Sequence, residues 1–188
     1  PPQYDSEYEA QFETGPTNPL GTFASGYFPA EFGEPRDYCG VENMRLPLIG
    51  EVAEEWYPEQ WMAGREPSLY LISEQEPSPE FIFRFSYIPS FSPSIFVRVH
   101  KDDEGYLLFA KRMNGAGGYG PGSIASSKKI RLSPNQASKF LRLLRDEALF
   151  DEYPQACGRG FDGSEWLFEW VDSQGYRLVK RWSPTEGA

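Results

Sequence analysis

Histidine and cysteine are nearly absent from this sequence, and their scarcity limits the chemistry that the chain can perform. Among 188 residues there are one histidine, His100, and two cysteines, Cys39 and Cys157. A zinc site needs about four ligands, most of them at short spacing, and the cysteines have no such neighbours. A Ser-His-Asp or Cys-His site would depend on His100, which no G-x-S-x-G motif accompanies. We therefore expect a non-enzymatic protein with no catalytic residue, metal or cofactor.

Long apolar runs and positive charge in the first third of the chain are also lacking. Since no run of about 18 apolar residues occurs, the sequence predicts no transmembrane segment. Residues 1–66 hold 13 acidic residues against three arginines, a formal charge of −10, whereas the remainder balances 15 acidic with 15 basic residues. An acidic segment repels phosphate backbones and lipid headgroups, so we expect no nucleic acid as the direct partner. A solubilising surface and a contact surface for a basic protein both fit this charge.

The composition indicates a globular chain with an irregular start. Hydrophobic residues make up 39% of the sequence and aromatic residues 16%, enough to form a core. Residues 1–49 are rich in proline, which shortens regular structure, and carry scattered aromatic residues. We therefore predict an acidic arm over residues 1–49 that packs on a single domain over residues 50–188.

Several segments of the predicted domain have strand patterns. Residues 80–88 alternate in a period of two, which predicts a strand with one buried face. The alternating sets are Phe81, Phe83, Phe85 and Tyr87 against Ile82, Arg84, Ser86 and Ile88. Further strands are predicted at 68–73 and 126–133, and a hairpin at 94–113 with Gly105 available for positive φ.

The segment 164–182 predicts a last hairpin with a three-residue loop, Ser173 to Gly175. This register places Trp166 opposite Trp182, Trp170 opposite Leu178 and Leu167 opposite Arg181. One face would then be aromatic. The other would hold Glu165 and Glu169 near Arg177 and Arg181 as a cross-strand charge ladder, in which ionised carboxylates are poor general acids for a glycosidase.

Two helices are predicted. Residues 50–64 form a short helix whose apolar face holds Val52, Ala53, Trp56 and Trp61, with Pro58 expected to break or kink it or to start a second turn. Ser133, Pro134 and Gln136 form a capping box that starts the main helix. Its apolar stripe is Ala137, Phe140, Leu141, Leu144 and Ala148. Hairpins around one main amphipathic helix indicate an α+β fold with a mainly antiparallel sheet.

The glycine-rich stretch "GAGGYGPG", residues 115–122, is the most suggestive chemical motif. A phosphate-binding loop would need Gly-Lys-Ser where Pro121, Gly122 and Ser123 stand, and a helix would have to follow. We therefore interpret it as a flexible bend between strands, with an anion site at its amides as the alternative.

Two shorter motifs also lack the context that their chemistry needs. Ser126 to Lys129 has S-x-x-K spacing but enters a strand without a K-T-G element. Asp102, Asp103 and Glu104 lack the spacing of a calcium loop and are expected to form a solvated turn.

The cysteines and the start of the chain leave the compartment open. One bridge between Cys39 and Cys157 and two buried thiols are equally consistent with the sequence. The chain begins Pro1-Pro2, which is consistent with a removed signal sequence or lipoprotein leader, and equally with a trimmed start. A periplasmic or envelope location is slightly favoured over the cytoplasm.

Four motifs together resemble a group of uncharacterised bacterial proteins. They are "GREPSLY" at 64–70, the run ending "SIFVRV", the loop "GAGGYGPG", and "GFDGSEWLFEW" with "YRLVKRWSP". The resemblance spans about residues 50–188. It implies a small bacterial α+β domain and carries over no catalytic residue.

Small acidic domains without an active site suit a binding role. We expect an immunity or inhibitor protein that neutralises a secreted, basic bacterial toxin, with a cell-envelope domain of structural or ligand-binding role as the alternative. The expected partner-binding residues are Tyr4, Glu7, Tyr8, Glu9, Glu31, Glu34, Asp37, Glu54, Glu55 and Glu59.

Overall fold

A computed structural model describes residues 26–146, 153–155, 160 and 162–184. Its centre is a six-stranded antiparallel sheet in the order β4-β3-β2-β1-β5-β6. The strands are β1 (Phe81–Pro89), β2 (Ile95–Asp102), β3 (Gly105–Met113), β4 (Ile124–Arg131), β5 (Ser164–Asp172) and β6 (Gly175–Trp182). Strands β1 to β4 form a meander, and β5 pairs with the other side of β1. The predicted α+β class with a mainly antiparallel sheet is confirmed.

Three helices cover the two sides of this sheet. They are α1 (Glu51–Ala63), α2 (Leu69–Ser73) and α3 (Pro134–Asp146), and short 3-10 turns occur at Ala30–Gly33 and Gly117–Tyr119. We call the side packed against α3 the α3 face and the side packed against α1 and α2 the α1 face. No helix among the described residues has the length and apolar character needed to cross a membrane.

Strand β1 is buried on both of its faces, and the predicted single buried face is wrong. Phe81 and Phe83 pack in a cluster with Leu144 of α3, whereas Ile82 and Ile88 lie in clusters with α2 and α1. The reason is the central position of β1, which has a covering layer on each side. Arg84 is consequently fully buried on the α1 face.

Helix α3 begins as the sequence predicts. The Ser133 amide donates to the Gln136 side chain at 2.9 Å, and the Gln136 amide donates to the Ser133 hydroxyl at 3.4 Å. Ala137 and Leu144 are buried, and the Phe140 ring meets the Phe83 ring edge-on at 5.6 Å. The predicted stripe therefore lies on the sheet; Ala148 is outside the described residues.

Helix α1 differs from its prediction in two ways. It runs unbroken through Pro58, and its buried residues are Tyr57, Pro58, Gln60 and Trp61. Val52, predicted on the apolar face, is 81% exposed. Since tertiary packing supplies most helix stability, burial of this face offsets the hydrogen bond that proline lacks.

Residues 68–73 form the cap and body of helix α2 rather than the predicted strand. The Ser68 hydroxyl accepts a hydrogen bond from the Leu71 amide at 3.1 Å, which is an N-cap. A short apolar run has no periodicity that distinguishes a buried strand from one buried helical turn. The N-cap at Ser68 is the local feature that favours the helix.

The last hairpin is shifted by one residue from the predicted register. Asp172 pairs with Gly175, which has a φ of 95°, and this pairing sets Trp170 opposite Arg177 and Trp166 opposite Arg181. A one-residue slip moves a strand's side chains to the opposite face. The predicted ladder of Glu165 and Glu169 with Arg177 and Arg181 is therefore wrong.

Residues 26–49 share the core of the domain. Tyr27 and Phe28 are buried, with ring centroids 6.0 Å and 5.6 Å from the Trp61 ring. Leu48 and Ile49 belong to the same cluster. The remainder of the predicted arm, residues 1–25, lies outside the described residues.

Candidate functional site

Charged side chains from three adjacent strands converge on one carboxylate beneath the helices. Arg84 of β1, Arg98 of β2 and Lys111 of β3 all point to the α1 face. Glu66, in the loop between α1 and α2, lies 2.8 Å from Arg98 Nε, 2.8 Å from Lys111 Nζ and 3.7 Å from Arg84 Nη1. We call these residues and Glu169 the ionic cluster.

Arg84 joins the two carboxylates of this cluster. It lies opposite Glu169 on β5 and donates to that carboxylate through Nε at 2.6 Å and Nη2 at 2.8 Å. Its Nη1 donates to the Pro67 carbonyl at 2.6 Å, and its guanidinium lies 4.1 Å from the centre of the Trp61 ring. The Tyr176 hydroxyl also donates to Glu169, at 2.9 Å.

The backbone of the Glu66 loop contributes further acceptors. Lys111 Nζ donates to the carbonyls of Gly64 and Arg65, both at 2.9 Å. A side chain on Gly64 would approach the Phe96 ring to 2.6 Å, so the loop can lie this close to the sheet because residue 64 is glycine. The motif "GREPSLY", singled out in the sequence, is therefore the segment that contacts the basic side chains of Arg84, Arg98 and Lys111.

Electrostatics keep Glu66 ionised. Burial alone would raise the pKa of Glu66, but Arg98, Lys111 and Arg84 together lower that pKa to about 2. Burial raises the pKa of Glu169. Arg84 and Tyr176 act in the opposite direction but do not cancel this rise, so the pKa stays above its usual value. Because the cluster side chains are almost completely buried, each charge depends on its partners, and losing one would leave an uncompensated charge in the core. The cluster thereby fixes the position of the α1–α2 loop on the sheet.

His100 lies at the edge of the same cluster. It is buried, and Arg98 Nη1 donates to its Nδ1 at 3.3 Å, which places the ring proton on Nε2. Burial and the neighbouring Arg98 lower the pKa of His100 to about 4, so the ring is neutral at pH 7. Its ring packs beside Phe109, with centroids 5.2 Å apart.

The other carboxylates singled out in the sequence have separate surroundings. Glu165 hydrogen-bonds with Tyr57, whose pKa burial raises well above its usual range. Asp102 and Glu104 both pair with Arg131, at 2.5 Å and 3.0 Å. Among the described residues, no group of three or more His, Cys, Asp or Glu side chains has the arrangement of a metal site.

The glycine-rich loop forms the predicted bend between β3 and β4, and it is closely packed. Amides of Asn114, Gly115, Ala116 and Gly120 bond to carbonyls within the loop at 2.9–3.2 Å. Gly117 has a φ of 58°, and a side chain there would come within 1.9 Å of the Pro89 carbonyl oxygen. These four amides bond within the loop and do not face outward, and the alternative of an anion site at the remaining loop amides stays a prediction.

This loop is fastened to α1 through its carbonyl groups. Gln60 donates to the Gly117 carbonyl at 3.2 Å, and the Trp56 indole donates to the Gly118 carbonyl at 3.0 Å. The next residue, Tyr119, stacks on Phe91 of the β1–β2 turn, with ring centroids 5.3 Å apart and an interplanar angle of 10°. Both rings are largely exposed. We call Phe91 and Tyr119 the aromatic pair.

The predicted partner-binding residues that the structure describes are all exposed and lie in the layer on the α1 face. They are Glu31, Glu34, Asp37, Glu54, Glu55 and Glu59. Glu34 pairs with Arg36 at 2.7 Å, and Asp37 caps a turn by accepting from the Gly40 amide at 2.7 Å. Tyr4, Glu7, Tyr8 and Glu9 lie outside the described residues.

Sequence reasoning missed Glu51 and the ionic cluster. Glu51 is exposed and precedes Glu55 and Glu59 by one and two helical turns, so the three form one stripe. The available signal for the cluster was a single arginine inside each of two apolar strands, Arg84 and Arg98, since such a residue needs a buried partner.

Cys39 is disulfide-bonded. The other cysteine of the chain, Cys157, is outside the described residues. Two residues before it, the Gln155 amide donates to the Tyr38 carbonyl at 3.0 Å, beside Cys39. Of the two alternatives left open by the sequence, the bonded state of Cys39 excludes two free thiols, and this contact is consistent with a bridge to Cys157.

In comparisons with known proteins, the chain matches no protein-family model and no curated protein. The resemblance to uncharacterised bacterial proteins stays a prediction, and the function must be argued from the surface and the site.

Proposed function

We propose that this chain is a non-enzymatic protein-binding domain, an immunity or inhibitor protein that neutralises a secreted, basic bacterial toxin. The observation that carries the proposal is the acidic layer on the α1 face. Within residues 26–66 it exposes eight acidic side chains against three arginines. They are Glu31, Glu34, Asp37, Glu42, Glu51, Glu54, Glu55 and Glu59.

The contrast between buried and exposed charges supports a contact role. The buried carboxylates Glu66 and Glu169 are saturated by arginine, lysine and tyrosine groups, so fold stability accounts for them. Among the described residues no ion pair holds Glu55 or Glu59 of α1, and like charges on one helix face slightly destabilise the helix. A basic partner would relieve that repulsion and would be attracted from a distance.

The test is complex formation with a basic toxin encoded beside this chain's gene. We expect the two proteins to co-purify at low salt and the complex to weaken as salt rises. A Glu55→Lys/Glu59→Lys variant should lose the complex, and a Glu74→Lys/Asp103→Lys variant with the same change of charge should keep it, because the latter residues lie off the α1 stripe. Failure to form any complex at low salt, or equal loss in both variants, would refute the proposal.

The disulfide at Cys39 favours a second candidate, a cell-envelope domain with a structural or ligand-binding role. Disulfides persist in oxidising compartments such as the periplasm. Fractionation of the native host, with intact-mass measurement before and after reduction, tests this candidate. An oxidised protein in the envelope fraction that binds no toxin would favour it, and a reduced cytoplasmic protein would eliminate it.

A further inference from the structure

The aromatic pair is a preformed surface feature built from two separate loops. Phe91 is 66% exposed and Tyr119 72% exposed, yet their rings are nearly parallel. Single exposed aromatic residues are common on protein surfaces. Two aromatic rings that stack on each other while both remain exposed present a fixed, flat apolar surface. Aromatic side chains such as tyrosine are enriched at interface hot spots.

The supports of this pair fix its geometry before any partner arrives. The Tyr119 loop is bonded to α1 through Gln60 and Trp56. The backbone of Gly117 lies against the Pro89 carbonyl, and the Ser94 hydroxyl bonds to Gln60 at 3.1 Å, so both loops are tied to the same helix. Such preorganisation lowers the entropy lost on binding.

The loop that carries Tyr119 is fastened to the helix that carries the acidic stripe. Trp56, which bonds to the residue before Tyr119, has Glu59 three residues ahead of it and Val52 four residues behind, so these three share one side of the helix. The aromatic pair and the carboxylate of Glu59 are therefore joined through the same side of α1, the side of Trp56. A group that satisfies both is planar, apolar on its faces and positively charged, which describes the guanidinium of arginine.

We propose that the aromatic pair receives an arginine side chain of the basic partner, which stacks on an exposed ring face while its charge is balanced by the α1 glutamates. The inference rests on the proposed function and adds the identity of the recognised group. It also assigns a positioning role to Gln60, Trp56 and Gly117, which hold the receiving ring in place.

The experiment uses the full chain and three synthetic probes, which are acetylated and amidated pentapeptides Gly-X-Gly-X-Gly with X as arginine, lysine or citrulline. Citrulline keeps the planar shape of arginine without its charge. NMR titration should show ring resonances of Phe91 and Tyr119 shifting with the arginine probe, at an affinity several times that of the lysine probe, and little response to citrulline. Equal responses to arginine and citrulline, or to arginine and lysine, would overturn the inference.

Matched variants test whether probe binding requires the aromatic rings or only an exposed apolar side chain. Tyr119→Leu and Phe91→Leu keep apolar bulk at exposed positions and should weaken arginine-probe binding about two- to fivefold, the size of an exposed cation–π contact. Leu143→Ala, which truncates an exposed side chain on α3, should leave it unchanged.

The same variants separate this inference from the proposed function. If Glu55→Lys/Glu59→Lys abolishes the toxin complex while neither leucine variant weakens probe or toxin binding, the arginine assignment is wrong and the proposed function stands. If the leucine variants weaken both probe and toxin binding, the assignment is supported. If the arginine probe leaves the ring resonances unmoved, the assignment fails regardless of how the toxin behaves.

Discussion

At the scale of single residues, Glu66 determines how the α1–α2 loop is attached to the sheet. Its carboxylate is shared by Arg98 and Lys111, and Arg84 lies nearby. Removing one member of a buried ionic group leaves uncompensated charge, which is more harmful than never having buried it. The stability of the fold therefore depends on this residue more than on any exposed ion pair.

We predict that Glu66→Gln lowers the free energy of unfolding by about 3–5 kcal/mol, the range for breaking a buried ion pair. Urea denaturation at pH 7 measures it. Glu80→Gln, which removes the exposed carboxylate that pairs with Lys101, is the control and should leave the midpoint nearly unchanged. Equal midpoints for both variants would show that the cluster contributes little.

We also predict a loss of stability in mild acid that depends on His100. Its pKa in the folded state is about 4, against 6.5 for the free side chain. Between these values the unfolded chain binds the proton and the folded chain does not, so stability is full above about pH 6.5 and falls towards pH 4. The expected fall is ~3 kcal/mol, from a pKa difference converted at 1.36 kcal/mol per unit.

Comparing the pH slopes of the wild type and His100→Asn tests this prediction. Because the slope is independent of the starting stability, a less stable variant can still be compared. The variant should lose the fall in stability between about pH 6.5 and 4.5 that His100 causes, and it should retain the opposite contribution of Glu169, whose raised pKa favours the folded chain as pH falls. It should keep the later loss between about pH 4.5 and 2, where Glu66 is protonated in the unfolded chain first. An unchanged slope in the variant would contradict the assignment to His100.

At the scale of elements, the glycine-rich loop is a support for the aromatic pair. Gly117 has positive φ and no room for a side chain, whereas a side chain at Gly120 would meet no atom within 4 Å. Substitutions at these two glycines therefore distinguish the effect of a steric clash at residue 117 from the general effect of replacing a glycine in this loop.

We predict that Gly117→Ala destabilises the protein by ~1–3 kcal/mol through overpacking and backbone strain. The Phe91–Tyr119 contact should be lost with it, as seen by NOEs between the two rings. Gly120→Ala should keep both stability and the contact. Retention of the ring contact in Gly117→Ala would show that the loop does not position Tyr119.

The sequence predicted elements whose signals are local. The capping box at Ser133 and the hairpin with Gly105 depend on neighbouring residues, and both are confirmed. The register of the last hairpin depends on the length of its turn. Asp172 pairs with Gly175, whereas the predicted register would pair it with Tyr176. The contact of Glu169 with Arg84 comes from the pairing of β5 with β1, which are far apart in sequence, and turn patterns do not encode it.

The candidate site was predicted only in part for the same reason. The acidic residues of α1 follow from composition, and their exposure is confirmed. The aromatic pair joins the β1–β2 turn to the β3–β4 loop, and the ionic cluster joins four strands to the α1–α2 loop. An arginine inside an apolar strand indicates that a buried partner exists, but no local pattern identifies the partners in either feature, because they meet only when the strands have paired.

At the scale of the whole molecule, charge is divided between the two sides of the sheet. The layer on the α1 face is acidic. On the α3 side, exposed basic residues lie on β3, β4 and α3, and they include Arg112, Lys128, Lys139, Arg142 and Arg145. This separation of charge produces an electrostatic field that attracts a basic partner and orients the protein so that its acidic layer faces that partner.

The most direct test of a basic partner guided to the acidic layer is the association rate constant of the full chain with the basic toxin at low and at physiological ionic strength. We predict a rate that falls steeply with salt and that drops at least about tenfold at low salt in Glu55→Lys/Glu59→Lys, within the range of electrostatic steering. The Glu74→Lys/Asp103→Lys control should stay close to the wild-type rate. A rate indifferent to salt and to the reversal on α1 would contradict the account.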